Sequence, residues 1–315
     1  GSGFSNGGNL PFSRMEMGVA GPQTAAVAFG GFTSPPPPGA NATVEYDGSS
    51  WTSGNNMNQG RTNVGSAGTQ TAALAFGGSE PNSPGQWTEE YDGTNWTAQN
   101  NLGTGRYQLM GNNVGTQTAA LCVGGFISTA KDLVEEYDGT NWTATTALPT
   151  AGGNQMRVGL STTALAAGGT PGPNDGTKCY SFDGSTWTAT ASLATPRSST
   201  SGAGNNTSAV DAGAPSNSAT SEEFNISINT FTAAAWASGT SMNTPRKANT
   251  GGYGTTTAGL IAGGHSAPNA GIADSEEFDG SSWTEGPNMN TARGWISASG
   301  TQTAALGAGG YTGPP

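Results

Sequence analysis

Charge is what this chain of 315 residues most lacks: 10% of its residues are Asp, Glu, Lys or Arg, against roughly 25% in an average domain. Ten basic residues stand against 21 acidic ones, a formal charge of −11. Binding to nucleic acid through its phosphates needs a basic patch and is not expected. There is one histidine, His265, and there are two cysteines, Cys122 and Cys179. Both cysteines lie in apolar runs of strand character. They supply neither a disulfide framework nor a zinc site and read as free buried thiols. No apolar run approaches the roughly 18 residues of a spanning helix, so no membrane insertion is expected. Gly1 to Phe4 shows neither the charged nor the apolar region of a secretory signal, and none is expected there. Disorder usually couples low hydrophobicity with high charge, whereas here eight Trp, seven Tyr and ten Phe are spread along the chain. With no helical apolar period over any long stretch, the reading is a folded, all-β protein.

What abounds is glycine, 52 residues, and it sits in a repeat. The string GTQTAALAFGG from Gly68 returns as GTQTAALCVGG from Gly115 and GTQTAALGAGG from Gly300, with weaker copies from Gly21, Gly159, Gly204 and Gly254. The first Gly of the terminal pair falls at 30, 77, 124, 168, 213, 263 and 309. Seven units of about 45 residues predict one repeat domain over 1–315. A second string follows the first six copies: VEYDGSSWT, EEYDGTNWT twice, YSFDGSTWT, a degenerate EEFNISINTFT, and EEFDGSSWT. A basic residue precedes strand entry in six units, at Arg14, Arg61, Arg106, Arg197, Lys247 and Arg293, with Gly152 at that place in the fourth.

Each unit reads as four strands, a to d. Strand a follows the basic residue, as in Thr62 to Ala67. Strand b, Thr71 to Phe76, is apolar throughout, as a strand buried on both faces should be. Strand c is the Glu-Glu-Tyr segment, and Asp92-Gly93 is expected to turn it tightly into strand d, which carries Trp96. Gly1 to Leu10 aligns without a gap on Gly93 to Leu102, an orphan strand d, and the chain finishes on an orphan a–b pair at Gly294 to Gly310. Joined in one sheet, the two ends are expected to close a ring of seven blades, the seventh without strand c: either that blade has three strands, or the sequence is cut from a longer repeat array.

A strand ending in Gly-Gly, a variable loop, an acidic-aromatic strand, a Trp strand and then an Arg resemble the kelch repeat over essentially the whole chain. The spacing of four residues between Tyr91 and Trp96 is shorter than in most kelch units, and Phe224 and Phe231 restore the longer one. The resemblance implies a seven-bladed kelch-like β-propeller. The Thr/Ala/Gly-rich version with TQTAALAFGG and EEYDGTNWT is similar to repeats in structural proteins of marine bacteriophages, which implies a tail-fibre or other virion component. Some kelch-like oxidases hold copper with His and Tyr ligands, and a single His cannot supply that site. Ser181 to Trp187 comes within one residue of the Asp-box of sialidase propellers, which is a structural turn with no catalytic part.

The paired carboxylates, such as Glu89-Glu90 and Glu276-Glu277, recur in separate blades and point to opposite strand faces, so they read as structural. Arg14, Arg61, Arg106, Arg197 and Arg293 share one repeat position near the axis. They are candidates for binding an anion or an acidic sugar, unless each instead ties its loop to backbone carbonyls or a carboxylate. His265 reads as a surface loop residue. The b–c and d–a loops share one face and vary most: Phe32 to Thr43, Ser79 to Trp87, Phe126 to Leu133, Thr170 to Lys178, Ala214 to Ser221 and His265 to Asp274. Variable loops on a rigid frame commonly carry function, so Phe32, Trp87, Phe126 and Tyr311 are candidates for stacking on sugars or docking a protein. No catalytic residue, metal or cofactor is expected. The function that follows is a non-catalytic binding or structural propeller of a phage virion, contacting a host-surface glycan or another virion protein. The alternative is a bacterial extracellular lectin or protein-interaction propeller, and a glycan-active enzyme fits less well.

Overall fold

The computed structural model describes residues 8–32, 40–80, 83–109, 114–170, 176–213, 220–225, 235–247, 252–266 and 270–312. These form six four-stranded antiparallel sheets, each a meander in the order a-b-c-d. In the second blade the strands are Gly65–Thr69, Ala72–Phe76, Thr88–Tyr91 and Trp96–Gln99. Strand a of each blade lies against strand a of its neighbours, which puts a at the axis and d at the rim of an all-β propeller. Strand b is buried between flanking sheets, and its alanines make that possible: Ala73 and Ala75 are fully buried in the same cluster as Phe29, Val64 and Tyr91. Strand d is buried only at its first residue, Trp96, and runs out to solvent beyond it.

The expectation of seven blades is corrected to six. The last unit supplies only a two-stranded sheet, Ser297–Thr301 with Ala304–Ala308. The six strand c segments of the sequence are each paired in another sheet. Of the expected amino-terminal strand d, residues 1–7 lie outside the described residues, and Gly8 to Leu10 form no strand. The two-stranded sheet packs with Ser297–Thr301 against the first strands of the first and sixth blades, and the Gly310 amide donates to Arg14 O at 2.8 Å.

The c–d turn is built around Asp92-Gly93. Tyr91 pairs directly with Trp96, leaving a four-residue loop in which Gly93 alone takes a positive φ, 90°. Asp92 Oδ1 accepts the amides of Thr94 and Asn95, so the aspartate closes the loop as a side-chain turn. In the fifth blade, Phe224 is in register with Trp236, not with Phe231, which lies outside the described residues. Both cysteines are free and buried, as their apolar setting implied.

Candidate functional site: a buried clamp and an axial mouth

The repeated arginine is a structural clamp. Arg61 Nη2 meets Glu89 at 3.1 Å and Nη1 donates to Trp87 O at 2.5 Å and Gly77 O at 3.3 Å. Arg106–Glu135, Arg197–Glu222 and Arg246–Glu276 repeat the pattern at 2.7, 3.1 and 2.7 Å, every arginine side chain at 0% exposure. The second carboxylate oxygen accepts amides of the incoming d–a loop, as Glu276 does from Asn243 at 2.5 Å. One ion pair therefore ties strand b, strand c and the loop of its own blade. Buried pairs repay their desolvation only when further hydrogen bonds of this kind support them. The basic residue of the sixth unit is thus Arg246, and Lys247 pairs instead with His265 through backbone.

The clamp is not complete in every unit. The fourth unit lacks both: Gly152 stands for the arginine and Tyr180 for the glutamate, and the Tyr180 hydroxyl bonds Thr150 of the loop. In the first blade Val44 replaces the glutamate, and Arg14 lies over the Phe12 ring at 4.0 Å while reaching Gly30 O. Arg293 reaches Gly309 O at 2.8 Å. Arg61, Arg106 and Arg197 are buried inside their blades and present no guanidinium to a ligand.

The Gly-Gly pair follows from the same junction. Gly77 and Gly78 hold φ of 60° and 97°, and a Cβ on Gly77 would meet Arg106 O of the next blade at 2.8 Å. Only glycine allows that approach.

Beyond the clamp, each chain turns sharply into strand a. Six non-glycine residues two positions past the basic site take positive φ: Glu16 (59°), Asn63 (55°), Gln108 (57°), Asn154 (50°), Ser199 (54°) and Trp295 (51°). Such conformations cost of the order of 1 kcal/mol or more each and gather at functional sites. A bulky Trp there is a true outlier. These residues mark the axial mouth on the b–c/d–a face, where successive blades touch: Asn63 Nδ2 donates to Glu16 Oε2 at 2.5 Å, and the Ser199 amide to Asn154 O at 3.0 Å. Burial raises the Glu16 carboxyl above its ordinary range, opposed by hydrogen bonds from Thr62 and Asn63.

The residue after Gly-Gly completes the mouth. Phe32, Phe126 and Tyr311 occupy this position in three units and pair with Met15, Tyr107 and Gly294. All three are half-buried. Phe126 packs edge-on against Tyr107 at 5.8 Å, while Trp295 and Tyr311 flank one another at 6.3 Å. Trp87 is half-buried at the far end of its b–c loop, over Gly85, apart from the other three. Parts of the variable loops (33–39, 81–82, 171–175, 214–219 and 267–269) lie outside the described residues. His265 is not a surface residue: it is fully buried against Trp295 at 4.3 Å. Burial, with Lys247 nearby, pushes its imidazole below the usual value. Sequence reasoning missed Asn63, Gln108, Asn154 and Trp295 because they share a position and not a residue type. Only their fixed offset from the basic site marks them.

The site has the makings of a recognition surface: half-exposed rings beside amide and carboxylate groups on a rigid frame. Among the described residues no three His, Cys, Asp or Glu side chains gather to hold a metal, and no helix is long and apolar enough to cross a membrane. No family model matches the chain and no curated protein does. Among solved structures the chain is similar to that of YjhT, with a TM-score of 0.64, 15% identity, and coverage of 90% of this chain and 100% of that one. At this identity the likeness shows a shared fold and nothing about ligands.

Proposed function

We propose that the chain is a non-catalytic binding propeller, a phage virion component of tail-fibre or adhesin type, whose axial mouth engages a host-surface glycan. The observation that carries this reading is the mouth itself. Strained backbone is retained there in at least six units, and the side chains it presents are aromatic or hydrogen-bonding, the chemistry that stacks on sugar rings and reads their hydroxyls. The lone histidine is buried against Trp295 and does not reach the surface of the mouth.

Binding of the purified chain to marine bacterial cells and to a glycan panel tests the reading. Saturable binding without turnover of the glycan supports it. Tight docking onto a capsid or tail protein with no glycan bound supports the structural version of the same role. Turnover of a bound glycan would contradict both.

A further inference from the structure

We propose a second binding site, independent of the mouth: a groove at the rim that takes an extended acidic peptide from another polypeptide as an added β-strand. The groove has a volume of about 550 Å³ and lies along the outer side of Ala304–Ala308, between the first and sixth blades. That strand has no third partner among the described residues. Its pattern is correspondingly opened: Gly307 is exposed and Ala305 half-buried, where the equivalent Ala75 and Ala73 are fully buried. An unpaired strand edge is a template for strand addition.

Four side chains lining this groove, Gln23, Tyr46, Trp51 and Arg293, fix what the strand must carry. Each has a repeat equivalent that bonds to a strand c elsewhere. Trp96, the equivalent of Trp51, donates its indole N–H to the hydroxyl of Thr43, the first residue of the preceding strand c, at 2.8 Å. Tyr137, equivalent to Tyr46, donates to Glu90, the third residue of such a strand, at 2.9 Å. Gln70, equivalent to Gln23, donates to the backbone O of Tyr46, the fourth residue, at 2.8 Å. Arg106, equivalent to Arg293, reaches Glu135, the second residue, at 2.7 Å and the carbonyl of Leu133 just before the strand.

At the groove none of these bonds is made among the described residues, although Arg293 already holds its first clamp bond to Gly309 O. The occupant these groups select is a short run of Ser or Thr, Glu, Glu and then Tyr or Phe, lying antiparallel to Ala304–Ala308. Charge complementarity is specific: the guanidinium of Arg293 has no carboxylate partner among the described residues, and burial already disfavours its charged form. A second copy of this chain has no such run to give, because all six of its own c segments are paired within their sheets.

Calorimetric titration of the full chain with acetyl-Thr-Glu-Glu-Tyr-Asp-Gly-amide tests the proposal. One peptide is expected to bind per chain. Replacing its first Glu by Gln, or substituting Arg293→Ala, is expected to weaken binding about tenfold or more, the usual scale of a charge-assisted hydrogen bond. Gln23→Ala, on the opposite wall, should weaken it several-fold and serves if Arg293→Ala does not fold. No saturable heat, equal affinity for the Gln peptide, or self-association of the chain in place of peptide uptake would each overturn it. A substitution at the mouth, Trp295→Ala, leaves peptide binding unchanged, so failure here is separable from failure of the glycan reading.

Discussion

The indole of Trp187 packs in one buried cluster with Val134 and has no acceptor for its N–H. At the same junction in other blades, Trp96, Trp142 and Trp283 donate to Thr43, Thr88 and Ser221 at 2.7–2.8 Å. The first residue of strand c is therefore an inter-blade acceptor, and the third blade lacks it. Val134→Thr should raise stability by about 1 kcal/mol, the net worth of one satisfied hydrogen bond. The shift in urea midpoint measures it, and a fall in stability would show that the hydroxyl is not reached.

The clamp predicts a much larger effect of opposite sign. Arg106→Ala leaves Glu135 buried without its counter-charge and frees the carbonyls of Gly124 and Leu133. Breaking a buried pair from one side costs about 3–5 kcal/mol, to be read from thermal or denaturant unfolding. A loss under 1 kcal/mol would mean that water replaces the guanidinium at little cost.

Strain at the mouth separates stability from binding. Gln108 combines a φ of 57° with a buried Oε1 that has no partner. Gln108→Gly removes both penalties and should stabilise the fold by about 1–2 kcal/mol while weakening the mouth's ligand. Destabilisation would show that the glutamine is held for the fold and not for recognition.

Asp211 gives the pH dependence. Its carboxyl is fully buried on strand b of the fifth blade, and burial pushes it up to about 7 against the pull of Arg197. The unfolded carboxyl titrates near 4, so between about pH 4 and 7 the folded state holds a proton that the unfolded state releases. Stability contributed by that proton is present at the acid end and lost as pH rises through 7. Asp211→Asn should flatten the curve over this window and be the more stable form at pH 8. Parallel curves for the two proteins would refute the assignment.

Much of the fold was legible because one position in the repeat does one job. Gly-Gly, the apolar b strand, Glu-Glu-Tyr and Trp recur in register, and each meets the same neighbour in the structure. The count of blades was not legible. It turned on joining two chain ends by alignment, and alignment of Gly1 to Leu10 with Gly93 to Leu102 says nothing of whether a sheet forms without strand c between. The basic residue of the sixth unit was misplaced by one, at Lys247 for Arg246, because spacing alone does not show which side chain turns inward. Phe32, Phe126 and Tyr311 were readable as the residue after Gly-Gly. The positive-φ residues were not, since Glu, Asn, Gln, Ser and Trp share no chemistry that a repeat search detects.

The most direct test of the mouth as the recognition site is surface plasmon resonance against the best glycan of a panel, comparing the parent chain with Phe126→Ala, Trp295→Ala and the groove variant Arg293→Ala. Loss of stacking partners, each worth roughly 1 kcal/mol or more, should weaken the two mouth variants about tenfold and leave Arg293→Ala at parent affinity. Unchanged binding in both mouth variants, or loss only in Arg293→Ala, would contradict it.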